Sequence, residues 1–247
     1  MRAALEIARR ELFSFFVSPI AYVVVVAWLL WSGVAFGYLC ENYAMNASMG
    51  GSSNPLSDFF GGTILFYVPL LAIAPALTMR LVADETKSGS LEALVTAPVS
   101  ETSIVVGKYL AAMVSWLWLW VPTLLYVWLT TRYGRVGAGV VAASYVGVVG
   151  IGLYYMALGL LMSTLAPTPI IAFVLTFLAL GLLFVLGIGQ YFAEGLVEEV
   201  LGYVSVWAHM GDFSRGIVDS RYLVYDVTVS MVALFLSVRI LEWRRLA

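Results

Sequence analysis

Charge is what this chain has least of. Of its 247 residues 11% are Asp, Glu, Lys or Arg, and 62% are apolar. A soluble domain carries about 25% charged and roughly 45–50% apolar residues, so a water-soluble fold is excluded and the chain reads as an integral membrane protein. A net charge of −2, with no basic patch away from the expected membrane flanks, excludes nucleic acid as a partner. There is one cysteine, Cys40, so no intramolecular disulfide can form; it reads as a small apolar residue near a span end. The single histidine, His209, lies too far along the chain to share a metal site with Cys40, and is expected at a surface or interface.

Catalytic signatures are missing as well. Gly107-Lys108 is followed by Tyr109 and lacks the upstream glycine of a phosphate loop. There is no H-E-x-x-H and no G-x-S-x-G. Asp226 is expected near one end of the last span and Asp212 outside the hydrocarbon core, which is a poor match to an intramembrane aspartyl dyad. Ionisable residues deep in the spans are expected to be nearly absent, which disfavours an ion- or proton-coupled carrier. The expectation is a non-enzymatic chain that binds no metal and no cofactor and is driven from outside the membrane.

What is present is a series of long apolar runs. Residues 1–17 form an amphipathic helix: Leu5, Ala8, Leu12, Phe15 and Phe16 share one face, while Arg2, Glu6, Arg9 and Arg10 cluster on the other. Such a helix lies in the membrane interface, with arginines among the headgroups and phenylalanines at the acyl boundary. Ser18-Pro19 breaks it and turns the chain into the bilayer. The run that follows is too long for a signal-peptide core and reads as a permanent span.

A span needs about 20 apolar residues. Six are expected, over 20–39, 62–78, 104–129, 140–161, 170–187 and 222–241, in a single all-α membrane domain covering 1–247. Glu41 is expected to end the first span, and 42–60 reads as a Gly/Ser/Asn-rich loop. Pro69 and Pro75 lie inside the second span and can kink it. The third carries Trp116, Trp118, Trp120 and Trp128, read as packing or interface anchors. The fourth is rich in glycine, Gly147, Gly150, Gly152 and Gly159, and Gly147 and Gly150 are expected near the bilayer middle, where small residues allow close helix approach. Residues 188–221 read as one or two short helices at the extracytoplasmic surface, or dipping partly into it.

Six crossings put both termini on one side. Arg2, Arg9, Arg10, Arg80, Lys87, Lys108, Arg239, Arg244 and Arg245 fall on that side, against Arg132, Arg135, Arg215 and Arg221 on the other. The positive-inside rule then makes both termini and the polar stretch near 79–103 cytoplasmic.

That stretch carries helix punctuation. Ser88 or Ser90 can cap an N-terminus, Glu92 suits the first turn, Leu91, Leu94 and Val95 make a short apolar stripe, and Pro98 stops the helix. A short amphipathic helix held at a membrane face is suited to docking onto a cytoplasmic ATPase. In this reading Leu91, Leu94 and Val95 fill a groove of the ATPase, and Glu85 and Glu92 pair with basic residues at its rim. Tyr67, Thr123 and Thr176 either line a pathway or hydrogen-bond neighbouring helices; the residues that bind substrate are not identified.

Three stretches resemble the permeases of the second class of ATP-binding-cassette (ABC) exporters, ABC-2, and within them the gliding-motility-associated subgroup. RRELFSFFVSPIAYV, residues 9–23, resembles the family's N-terminal connector helix and its entry into the first span. ETKSGSLEALVTAPV, residues 85–99, followed by Ile104 and Gly107-Lys108, resembles the cytoplasmic coupling-helix region, with Gly89-Ser90 where Gly-Thr is usual. FSRGIVDSR, residues 213–221, resembles the extracellular segment before the last span.

The resemblance implies a permease subunit paired with a second copy or a related permease, with spans 1, 2 and 5 near the pathway. Each permease would be bound to a cytoplasmic ABC ATPase that holds ATP and Mg, in a bacterial inner membrane, with an accessory extracytoplasmic subunit as a further possible partner. It also implies export or extraction of a substrate that the sequence does not name. The alternative is a non-transporting anchor that recruits an ATPase for mechanical work such as gliding.

Overall fold

The computed structural model describes residues 2–47, 54–89, 100–133 and 136–246, and every regular element among them is helical. Buried in lipid, a backbone has to satisfy its own hydrogen bonds, and long helices do so within one segment. Five segments are long and apolar enough to cross a bilayer: Pro19–Met45, Glu101–Arg132, Ala138–Leu165, Pro169–Phe192 and Ser220–Arg245. Pro55–Gly62 and Ile64–Thr78 meet at a 48° bend and supply a sixth if they make one broken span.

Helix α1, Arg2–Val17, runs to Ser18, and α2 begins at Pro19, where the missing N–H costs nothing. Glu41 does not end α2; the helix continues to Ala47. The expected loop 42–60 is helical at its far end too, with a turn at Pro55–Ser57 and a π-turn at Asp58–Gly62. Asn54 caps that turn by accepting the Leu56 N–H at 3.0 Å, and Leu56, Phe59 and Phe60 are buried below it. Polar composition hid this short apolar face from a sequence reading.

Helix α3, Ile64–Thr78, runs through both Pro69 and Pro75, and the bend before it falls at the extended residue Thr63 rather than at a proline. Then come α4, Ala83–Ser88, and α5, Glu101–Trp120. A 3-10 turn at Val121–Thr123, with Pro122 inside it, joins α5 to α6, Leu124–Tyr133. The tryptophans divide: Trp116 and Trp120 are buried, whereas Trp118 and Trp128 are about half exposed, at 50% and 59%.

Helix α7, Ala138–Leu165, is the central post, with most of its length buried. Its glycines are where neighbours come closest. A Cβ on Gly147 would stand 2.6 Å from Met210 Sδ, and one on Gly152 or Gly159 would collide with Trp116 or Thr78. Helix α8, Pro169–Gly189, follows. Between it and the last helix lie two short helices, α9, Leu196–Val204, and α10, Val206–Phe213. They differ: α9 exposes Leu196, Val197 and Val200, while α10 buries Val206, His209, Met210 and Phe213. Helix α11, Ser220–Leu246, carries the chain back along α7.

The Trp116 indole is fully buried and donates to the Val148 carbonyl at 3.1 Å. Gly152→Val should therefore cost about 1–3 kcal/mol by overpacking. The thermal midpoint in detergent should fall, while Gly181→Ala, where no atom lies within 4 Å of a new Cβ, should leave it in place.

Candidate functional site

The end of the bundle that gathers α1, α4, the start of α5 and the end of α11 holds most of the ion pairs among the described residues. Its centre is Lys108, whose side chain is 1% exposed. The ammonium meets Glu11 Oε1 of α1 at 2.8 Å and Glu85 Oε1 of α4 at 2.9 Å, and donates to the Leu81 carbonyl. Arg10 approaches Glu85 from the water side, at 3.7 Å. Two cations and two carboxylates make a neutral cluster, with Lys108 sealed inside it and Arg10, 72% exposed, left in water. One partner removed leaves a buried charge that nothing compensates.

Lys108 is carried to this place by close helix approach. A Cβ at Gly107 would stand 2.7 Å from the Ala4 carbonyl oxygen and 2.9 Å from Ile7 Cβ, so glycine lets α1 lie directly on α5. The face that α1 buries is Ala4 and Ala8, with Glu11 below them. Leu5 and Phe13 point away, 61% and 72% exposed, which suits a lipid-facing side. Small residues set the contact with α5, while the larger apolar side chains stay partly or fully open to lipid. Phe15 and Phe16 are partly buried, and Phe16 packs edge-to-face on Trp118 at 5.8 Å; Arg9 and Arg10 remain exposed.

Helix α4 is capped from outside its own segment. Ser163 Oγ of α7 accepts the N–H groups of Val82 and Ala83, both at 3.1 Å, and donates to the Met79 carbonyl. Gly89 ends α4 in the left-handed region, at φ 73°, where a side chain would be strained. Ser88 therefore closes a helix instead of opening one, with its hydroxyl donating to the Glu85 carbonyl. Ser90, Leu91, Glu92, Leu94, Val95 and Pro98 lie outside the described residues. Their flanks are firmly held. Ser100 caps α5 through the Ser103 N–H, Glu101 pairs with Arg245, and Arg244 donates to Thr86 at 3.2 Å. Arg80 donates to Ser18, tying the same region to the α1–α2 corner.

Glu85 thus faces inward to Lys108 and is not free for the basic rim of a partner, as the sequence reading had it. That reading also missed Lys108, Glu11 and Ser163 as a unit. A signal was there: Ile104, Ala111, Ala112 and Ser115 fall at helical spacing around Lys108 and are all buried with it. The polar span residues bond mainly to backbone of their own segment. Tyr67 donates to the Gly61 carbonyl, Thr123 to that of Trp120 and Thr176 to that of Ala172, and all three are buried.

His209 and Asp226 depart furthest from expectation. Both side chains are 1% exposed and face each other at 3.5 Å, at the opposite end of the bundle from Lys108. Burial, not a surface place, is the finding for His209: α10 folds back between α7 and α11 and takes it inside.

Residues 9–237 match the family described as ABC-2 family transporter protein. No curated protein matches the chain significantly.

Lys108→Met leaves Glu11 and Glu85 facing each other with only the exposed Arg10 beside Glu85, and should cost about 3–5 kcal/mol. Trypsin should then cut after Arg9 and Arg10 faster as α1 undocks. Ser163→Ala removes only the cap of α4 and should cost about 0.5–2 kcal/mol, so its thermal midpoint should fall between wild type and Lys108→Met.

Proposed function

The chain belongs to the ABC-2 transporter family, and on that premise we propose that it is the membrane-spanning half of an ATP-driven exporter whose nucleotide chemistry resides in a separate cytoplasmic ABC ATPase. Two such permeases, or one with a related chain, face each other, and each docks one ATPase holding ATP and Mg. The end of the bundle with the Lys108 cluster is the cytoplasmic one, in keeping with the lysines and arginines gathered there, and the membrane is the bacterial inner membrane. Within the family we assign the chain to the gliding-motility-associated permeases, on the resemblance of 9–23, 85–99 and 213–221.

One observation supports this reading above the others. The stretch 90–99 emerges between two anchors, α4 and the start of α5, and both are bonded to several other elements. Lys108 and Glu85 join α4 to α1 and α5, Ser163 joins it to α7, and Arg244 and Arg245 join the region to α11. A displacement applied at 90–99 reaches four helices through short polar contacts. That is what a subunit moved by an external motor needs. Leu91, Leu94 and Val95 supply the greasy contact with the ATPase, Ser90 and Glu92 support its first turn, and Pro98 ends it. Burying two leucines contributes about 3–6 kcal/mol before association costs.

Leu91→Asp combined with Leu94→Asp should lower co-purification of the cognate ATPase by at least about tenfold. Unchanged ATPase binding together with unchanged coupled turnover would remove the assignment. In vesicles containing permease and ATPase, ATP-dependent movement of substrate separates an exporter from an anchor that only recruits the ATPase.

A further inference from the structure

The buried pair at the far end of the bundle is used by none of the above. His209 sits in α10 and Asp226 about 9 Å, six residues, along α11. The contact between them spans two elements, with α7 closing the third side. Asp226 fits there because position 150 is glycine: a Cβ would collide with Asp226 Oδ2. The Tyr222 ring stacks on the imidazole at 4.2 Å and Tyr225 meets it edge-on at 5.5 Å.

The hydrogen bonds fix what the pair carries. His209 Nε2 lies 3.0 Å from the Tyr203 carbonyl oxygen, which can only accept, so Nε2 bears a hydrogen. Nδ1 is then bare unless the ring is protonated. It points at Asp226 Oδ1, and neither Nδ1 nor either carboxylate oxygen has another hydrogen-bond partner among the described residues. A lone pair aimed at a buried carboxylate is repulsive. With one proton between them the contact becomes attractive, either as imidazolium with carboxylate or as imidazole with carboxylic acid. Both forms are neutral overall; loss of that proton leaves a net −1 sealed in an apolar wall.

The surroundings do not supply that charge. From α7 the groups facing the pair are Tyr154 and Tyr155, and from α11 itself Tyr222 and Tyr225. Asp212 of α10 is held by the Tyr222 hydroxyl, and α9 offers only the Tyr203 carbonyl. Nearby, Asp219 is paired with Arg221, which is 63% exposed. On the α5 side, Tyr109 is occupied by the Leu153 carbonyl.

We propose that His209 and Asp226 form a single-proton binding site that latches α10 into the bundle, closing it when the proton is bound and loosening it when the proton is lost to water at that face. What the latch holds is substantial. The α10 residue Trp207 stacks on Tyr67 of α3 at 4.6 Å, and Met210 and Phe213 press on Gly147 of α7. Ser205, the cap of α10, lies against Gly187 of α8 and accepts from Gln190. Releasing α10 therefore loosens three membrane helices at their common mouth. Since opening releases the proton, the closed state loses stability as pH rises.

The test is hydrogen exchange of the α10 amides, 206–213, in the full chain in lipid nanodiscs at about pH 6 and about pH 9. Protection factors, which correct for the intrinsic pH dependence of exchange, are the readout. Protection of α10 should fall by about tenfold or more at the higher pH, while that of α7 stays level. Asp226→Asn keeps the pair neutral, since its amide donates to the bare Nδ1, and should hold α10 protected at both values. Replacing both groups, His209→Gln with Asp226→Ser, leaves nothing there to take up the proton and should likewise show no pH-dependent fall, which covers the case of an Asn variant that does not fold. Equal wild-type protection at both values overturns the proposal, as does a fall of wild-type size in either variant. No ATPase enters the experiment, so its failure leaves the coupling assignment untouched.

Discussion

A single ammonium in an almost dry setting holds one end of this protein together. Lys108 has no water to turn to and two carboxylates within hydrogen-bond distance, one from α1 and one from α4. Taken in pairs, buried ions often do little for stability, because desolvation cancels the attraction. Their effect here is geometric. Three segments distant in sequence must meet at one point or leave a charge stranded, and that requirement sets the position of α1 on α5 and of α4 beneath both. The Ser163 cap and the two C-terminal arginines then fix the orientation of what Lys108 has gathered.

The other end is built on the opposite principle. There, contacts depend on removing atoms: Gly147 and Gly150 let α10 and α11 press onto α7, and Gly187 makes room for Ser205. In lipid no hydrophobic driving force separates helix from solvent, so close fit and a few polar contacts decide which helices associate. One end thus depends on charge and the other on fit, with His209 and Asp226 as the polar exception. The central helix α7 touches both, through Ser163 near its end and Gly147 and Gly150 nearer its start.

Much of this was legible in the sequence. Long apolar runs announce membrane helices, Ser18-Pro19 announces the corner between α1 and α2, and glycine spacing announces the close face of α7. The unread parts share a cause. Periodicity reports how greasy a face is, not which neighbour it meets. So the contact of α1 with α5 through Ala4 and Ala8 was not foreseen, and Lys108, expected at a flank, is sealed inside. The helical content of 54–62 and of α4 was hidden by polar composition, and the start of α4 is capped from a distance, its Val82 and Ala83 N–H groups donating to a serine about 80 residues on. His209 looked like a surface residue because a lone histidine gives no hint of a partner 17 positions on, which only the return of α11 supplies.

Mechanically, then, the account makes α1, α4 and the head of α5 one rigid piece, bolted at Lys108 and moved from the stretch 90–99. The most direct measurement is the distance between spin labels at Arg2 on α1 and Lys87 on α4, both exposed, in the ATPase-bound permease with and without ATP, after Cys40→Ser. The account predicts the same narrow distribution in both nucleotide states, and a broad one when Lys108 is replaced by Met. A distance that changes with nucleotide in the otherwise intact protein would mean that α1 and α4 move separately, and would contradict it.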